Sequence, residues 1–429
     1  MKIRELPRSA RPRARQTVPL LVAGVLVLAL NLRAAITSLP PIFPELESAL
    51  HVSASTLAVL AAVPVLCFGV FSGAGAPLSR RFGEERVLGL ALGLLAAGLL
   101  LRSLSPAVLL FPGTIIAGAA IALMNVLLPS LVKRRIPERA GLVIGLYLLM
   151  LSGGAILGSL LAVPVFTAAG AGQTSGSTAV RISLGMWAGP ALLAAVLWLP
   201  QLRHRTLPVE PQPGAGRQAR QAGVLALRRS PLAWQVTLFM GLQSLIYYAT
   251  LSWFPTMFRD HGISAAHAGD LVALMNLGNA ITALLVPVLA HRAADQRRLV
   301  AVAMIATAAG LAGAVFGPAA GVAPFTLLLG LGLGATLGLG IFNTMARAPD
   351  PVTAASLSAF AQGIGYLIAS TGPLVIGFLH DVTGGWVAPG LVLLAVCVAT
   401  VIVGWLAGRA RTVPAAAAAG GSPAQAVAE

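Results

Sequence analysis

The long apolar runs of this chain contain no aspartate and no glutamate. All 13 acidic residues sit at the edges of those runs or in polar segments, and so do all six histidines. Intramembrane proton relays commonly use such side chains, so a dedicated carboxylate proton carrier is not expected. Charged residues of either sign make up only 10% of the chain. Soluble domains carry about 25%, so this chain lacks the polar surface that a water-soluble fold needs. There are two cysteines, Cys67 and Cys397, each inside an apolar run. That excludes a disulfide framework and a thiolate metal site, and no metal or other cofactor is expected. Aromatic residues reach only 6%, which argues against a wide aromatic pocket. Missing as well are an intramembrane acid pair, a Ser–His pairing and loops long enough for a catalytic domain. An enzyme is therefore not expected.

What is present is oil: 57% of the 429 residues are hydrophobic. A bilayer core needs about 20 apolar residues per helix. That ruler gives twelve spans, at 18–39, 54–78, 87–104, 107–131, 140–166, 182–200, 232–257, 267–290, 298–317, 322–345, 353–379 and 386–408. The runs are too long for barrel strands and lack their alternation. The expected fold is an all-α integral membrane protein of two six-helix pseudo-repeats. Residues 18–200 would form one bundle and 232–408 the other. A basic leader (1–17), a polar linker (201–231) and a low-complexity, disordered tail (409–429) would flank them. The first span follows the leader without a clean cleavage site and reads as uncleaved.

The net charge of +16 is not a nucleic-acid signal, because the basic residues cluster in alternate loops. Arg80, Arg81 and Arg86 fall on one side with Lys133, Arg134, Arg135, Arg139, Arg292, Arg297, Arg298, Arg347 and the linker arginines. The other side holds only Arg102, Arg181 and Arg259. Cytoplasmic loops are rich in Lys and Arg, so both termini are expected inside a bacterial-type inner membrane. The two halves echo each other. Aligned without gaps, "APLSRRFGEERVL" and "PVLAHRAADQRRL" pair Leu78, Arg81, Glu84, Arg86 and Leu88 with Leu289, Arg292, Asp295, Arg297 and Leu299. Duplicated membrane bundles of this kind place a small-molecule site near mid-membrane between the halves.

One cation interrupts the oil. Arg33, in "NLRAAITS", lies about 20 Å along the first span, past its middle. A charge there costs about 2.5–3.5 kcal/mol on insertion scales. With no acid in any span interior, it must snorkel, use protein dipoles or meet an anion that comes and goes. Its planar fork suits two-oxygen acceptors. Polar side chains that could join it are Asn31 and Asn125, the pair Gln243 and Tyr247, the pair Asn276 and Asn279, and the pair Gln362 and Tyr366. Members of each pair are three or four residues apart and share a helix face. The alternative for all of them is hydrogen-bonded glue between helices. Tyr147 and Tyr248 are secondary candidates, and Trp253, near the end of its span, is expected as an interfacial anchor. The run "GLGLGATLGLG" has no strand before it, so it reads as close helix packing and not as a nucleotide loop. Pro64, Pro112, Pro287 and Pro373 interrupt spans and are candidate kinks.

The loop "GAGAPLSRRFGEERVL" resembles the helix 2–3 signature of the major facilitator superfamily. Gly75, Arg80, Arg81 and Gly83 fit it, while Ser79 stands where an acid is usual; Glu84 and Glu85 are candidate substitutes. With Arg292 from the repeat, these are the candidate gating residues. "NLRAAITSLPPIFPEL", "VPVLCFGVFSGAGAPLSRRFG", "NVLLPSLVKRRIP", "GLQSLIYYATLSWFPTMFRDHGIS" and "AQGIGYLIASTGPLVIGFLHDVTG" further resemble the cyanate / 2-nitroimidazole permease family. That resemblance implies a secondary transporter of small anionic or polar solutes in which spans 1, 4, 7 and 10 line the cavity with 2, 5, 8 and 11 behind or beside them; a monomer is expected. An efflux pump of the same fold with a larger, greasier pocket is the competing expectation.

Overall fold

A computed structural model of the chain describes residues 18–104, 107–170, 176–203, 226–318 and 321–415. These residues are 90% helical and include no strand. The expected leader, most of the linker and most of the tail lie outside the described residues.

The main helices are α1 (Val18–Thr37), α2 (Ala54–Phe71), α3 (Glu84–Ser103), α4 (Ala107–Arg135) and α5 (Ala140–Gly170), then α6, which is broken into Gly176–Gly185 and Ala188–Trp198. After the linker come α7 (Pro231–Asp260), α8 (Ala265–Arg292), α9 (Arg297–Phe316), α10 (Val322–Ala346), α11 (Pro351–Thr383) and α12 (Val387–Ala407). The second span ends earlier than its hydropathy suggests. A 3₁₀ turn at Ser72–Ala74 leads into a separate helix, Gly75–Phe82.

Eleven helices among the described residues are long and apolar enough to cross a membrane; α7 is not one of them. At 30 residues it is long enough, about 45 Å. It is too polar, carrying Gln235, Gln243, Ser244, Tyr247, Tyr248, Thr250 and Ser252. Most of those side chains are buried. A helix shielded by protein rather than lipid can carry polar groups that a lipid-facing helix cannot.

The packing repeats across the halves. α1 packs on α5 as α7 packs on α11, α2 on α4 as α8 on α10, and α3 on α4 as α9 on α10. α1 and α3 flank α6 as α7 and α9 flank α12. The halves meet chiefly through α2 against α11 and α5 against α8. This is the packing expected of a duplicated six-helix unit, and it leaves a seam between the halves.

Glycine sets how closely these helices approach. In α10, Gly330, Gly334 and Gly338 recur every fourth residue and abut the backbone carbonyls of Met275, Asn279 and Ala283 on α8. A Cβ at Gly334 would collide with the Asn279 carbonyl and the Thr282 hydroxyl. Gly154 and Gly158 of α5 likewise press on α1, against the carbonyls of Leu30 and Ala34. Without a hydrophobic drive between helices in lipid, such small-residue stripes allow tight association. They also hold Arg33 and Asn279 at the seam. Pro64, Pro112, Pro287 and Pro373 lie inside α2, α4, α8 and α11. Both cysteines are free and buried.

Two expectations need correction. Trp253 is not an interfacial anchor: it is 2% exposed and donates its indole N–H to the Pro373 carbonyl at 2.8 Å. Phe43, His380 and Trp386 pack around it. Its ring is covered by Phe43 of the opposite half and by α11, so it faces protein and not lipid. Arg102 is not a loop charge; it is 3% exposed, in the last turn of α3.

Candidate solute-binding site

A cavity of about 110 Å³ opens at the seam between the halves. Its polar side is Arg33 of α1, Gln243, Ser244, Tyr247 and Tyr248 of α7, Asn276 and Asn279 of α8, and Tyr366 of α11. Its apolar side is built by Leu148, Leu151 and Ala155 of α5 with Leu337 and Ile341 of α10.

Arg33 donates from Nη1 to the Tyr248 hydroxyl at 3.1 Å. Its guanidinium carbon lies 5.7 Å from the Tyr247 ring centre and 5.8 Å from that of Tyr248. Those rings meet edge to face, so the cation sits in an aromatic notch where its attraction to each π-face partly offsets desolvation. No carboxylate among the described residues pairs with it. The rest of the polar wall is organised by local bonds. The Tyr247 hydroxyl donates to Asn276 Oδ1 at 2.9 Å, and Asn276 Nδ2 donates to the Val272 carbonyl. Gln243 Nε2 donates to Ser244 Oγ and the Met240 carbonyl.

Six of the nine expected binding residues therefore come together: Arg33, Gln243, Tyr247, Asn276, Asn279 and Tyr366. Three do not. Asn31 is fully buried in α1 behind the wall. Asn125 accepts a bond from the Tyr147 hydroxyl at 3.2 Å, joining α4 to α5. Gln362 donates to Ser358 one turn back on its own helix. The Asn125–Tyr147 bond links two helices, and α4 gives the cavity no lining residue while α5 and α8 give several. Tyr248, only a secondary candidate by sequence, is the hydrogen-bond partner of the central cation. Its place one residue after Tyr247 was the available signal.

Residues 24–373 match the Major Facilitator Superfamily. The chain is a member of the major facilitator superfamily. It is 39% identical over 391 residues to the 2-nitroimidazole transporter of Escherichia coli (strain K12), covering 91% of this chain and 95% of that one. It is 31% identical over 363 residues to the cyanate transport protein of the same organism, covering 84% and 90%. In fold it resembles the inward-facing, unoccupied crystal structure of a bacterial homologue of the human lysosomal transporter Spinster. That likeness has a TM-score of 0.74 at 16% identity, over 97% of this chain and 100% of that one. This superfamily member is thus an integral membrane secondary transporter of small molecules and not an enzyme.

In this transporter the signature loop is anchored through its glutamates. Gly83 takes φ +89°, a backbone conformation that suits glycine, and turns the helix Gly75–Phe82 into α3. Ser79 is buried, Arg80 and Arg292 are exposed, and Arg81 lies over the Phe82 ring. Glu84, 1% exposed, accepts from Ser130 Oγ at 2.9 Å and pairs with Arg134 at 3.5 Å. Glu85 pairs with Arg135 at 3.9 Å. Two acids at the start of α3 thereby tie the loop to the basic end of α4. In the repeat, Arg297 holds Asp295 through a 2.7 Å ion pair and keeps that carboxyl below its usual range. At the opposite face the halves are joined by Arg259, whose Nη1 reaches both Glu45 oxygens at 2.8 and 2.9 Å.

Proposed function

We propose that this transporter carries a small planar or linear solute bearing negative charge or a two-oxygen acceptor, such as cyanate or a nitro-heterocycle, by alternating access between its halves. Arg33 is the residue that receives it. The observation that carries this reading is a guanidinium facing the seam cavity with a tyrosine hydroxyl, and no carboxylate among the described residues, as its partner. An anion 4 Å away in a medium of effective dielectric 20 gains about 4 kcal/mol, comparable to the cost of seating the lone cation in a membrane helix. The size of the cavity supports a small cargo. An engineered apolar cavity of about 150 Å³ holds one benzene ring, so about 110 Å³ suits a triatomic ion or a five-membered ring. The leucine wall faces the ring of a heterocycle while its nitro oxygens meet the fork of Arg33. The names of the two relatives, a 2-nitroimidazole and a cyanate transporter, point the same way.

The same volume weighs against a drug pump with a broad pocket. The charge asymmetry of the loops supports a bacterial inner-membrane location with both termini in the cytoplasm. Uptake of labelled cyanate and of 2-nitroimidazole into proteoliposomes tests the reading. Arg33→Gln should remove transport of both while protein remains folded in the vesicle; full transport by that variant overturns it.

A further inference from the structure

Two side chains on the cavity wall, one from each half, keep their hydrogen-bonding groups free. On α5 the cavity is lined by Leu148, Leu151, Ser152 and Ala155, which share one helix face by their spacing. Ser152 is the only polar one of the four. A helical serine or threonine hydroxyl can donate to the carbonyl four residues back, as Ser159 and Thr167 of this helix do. Ser152 makes no such bond and has no other partner among the described residues. On α8 the lining face includes Asn276 and Asn279. Asn276 is engaged by Tyr247 and the Val272 carbonyl. The side-chain amide of Asn279, about 4.5 Å further along the helix, has no partner among the described residues. Ser152 and Asn279 are both partly exposed, whereas the amide of Asn31 is sealed in the packing.

Helix contacts fix where these two stand. Gly154 and Gly158 abut the carbonyls of Leu30 and Ala34, so Ser152 lies on the side of Arg33 nearer the start of α5. Asn279 lies on that same side of Asn276, away from the face that carries Glu45 and Arg259. α5 and α8 touch where Gly269 meets the Ser159 carbonyl. Ser152 and Asn279 are two to three turns from that contact, facing the cavity from opposite halves. A hydroxyl and an amide each offer a donor and an acceptor. A nitroimidazole ring carries an N–H on one flank of its nitro-bearing carbon and a bare nitrogen on the other. We infer that Ser152 and Asn279 are specificity-determining residues that grip the two ring nitrogens of a nitroimidazole while Arg33 holds its nitro group. One accepts from the N–H and the other donates to the bare nitrogen. Cyanate has acceptors only and no lateral groups, so Arg33 holds it without them. The inference rests on the reading of Arg33 given above, and it gives the heterocycle a bond to each half that cyanate lacks.

Calorimetric titration of the purified full chain with 2-nitroimidazole, 2-nitrofuran and cyanate tests this. 2-Nitrofuran keeps the five-membered ring and the nitro group but has no ring nitrogen. The parent should bind 2-nitroimidazole at least tenfold more tightly than 2-nitrofuran, because the two side chains are left unpaired by the second. Ser152→Ala and Asn279→Ala should each weaken 2-nitroimidazole about three- to tenfold, the scale of one neutral hydrogen bond, with cyanate affinity unchanged. The double variant should bind the two heterocycles alike. Retained cyanate binding shows that a variant is folded; should Asn279→Ala not fold, Ser152→Ala, which removes one oxygen, decides alone. Equal losses for cyanate and 2-nitroimidazole, or none for either, overturn the inference and leave the reading of Arg33 standing. A parent that binds neither solute, or an Arg33→Gln variant that binds both as the parent does, overturns that reading and the inference with it.

Discussion

The pair between Glu45 and Arg259 fastens the halves on one face of the transporter, and its removal should shift the conformational balance by a definite amount. Both oxygens of Glu45 lie within 2.9 Å of Arg259 Nη1, and the side chains are 15% and 25% exposed. An exposed ion pair nets about 0.2–1 kcal/mol. This one is better shielded and accepts two contacts, so about 1 kcal/mol is the scale of its contribution to the closed face. Across a two-state equilibrium that is roughly a fivefold change in population ratio. Glu45→Gln should therefore raise the fraction open at that face about fivefold. Glu45→Arg alone should raise it further, by placing like charges together, and Glu45→Arg with Arg259→Glu should return it towards the parent. Spin labels at the exposed positions Ser48 and His261, one in each half, report the opening by pulsed dipolar spectroscopy. The native cysteines are buried and free, so background labelling is small. Identical distance distributions in the parent and in Glu45→Gln would refute the reasoning, because the ion pair would then contribute nothing to closure.

Four further outcomes follow from the geometry. Tyr248→Phe removes the hydroxyl that Arg33 Nη1 donates to. A bond to a charged group is worth about 1.5–3 kcal/mol, so solute affinity should change by about tenfold or more with expression unaltered, read by titration calorimetry. Gly334→Leu drives a side chain into the Asn279 carbonyl and Thr282; overpacking of this kind costs about 1–3 kcal/mol and should lower the unfolding midpoint. Gly189→Ala, in α6 with nothing nearby, should leave the midpoint level or slightly raised. Because Arg33 keeps its charge at all working pH and no acid or histidine lines the cavity, initial transport rates should track the ionisation of the solute across pH. A bell-shaped profile shared by solutes of different acidity would contradict that.

Much of this architecture was legible from hydropathy, because lipid demands a run of apolar residues per helix. The rotation of each helix was not. Where nearly every position is apolar, as in α4, there is no polar face to say which side looks inward, and Asn125 bonds to Tyr147 of α5. In the more polar α11, Gln362 and Tyr366 share a face, yet only Tyr366 lines the cavity while Gln362 bonds to Ser358. The stripe in α7 was readable because Gln243 and Tyr247 repeat at helical spacing. Arg102 was misread for a different reason. It ends an apolar run, where an arginine is normally free to reach water, and only the tertiary packing of α1, α2 and α7 over it removes that option. Trp253 was misread in the same way, since an aromatic near a helix end is an anchor only if lipid, and not the other half of the protein, covers it.

The central claim is that the cargo supplies the counter-ion Arg33 lacks. Calorimetric titration of the purified protein and of Arg33→Gln with cyanate, at one ionic strength, tests it most directly. Binding to the parent should be saturable and weakened at least 30-fold in the variant, about 2 kcal/mol, with the variant as stable as the parent or more so because a buried unpaired charge has been removed. Equal affinity in the two proteins would contradict it.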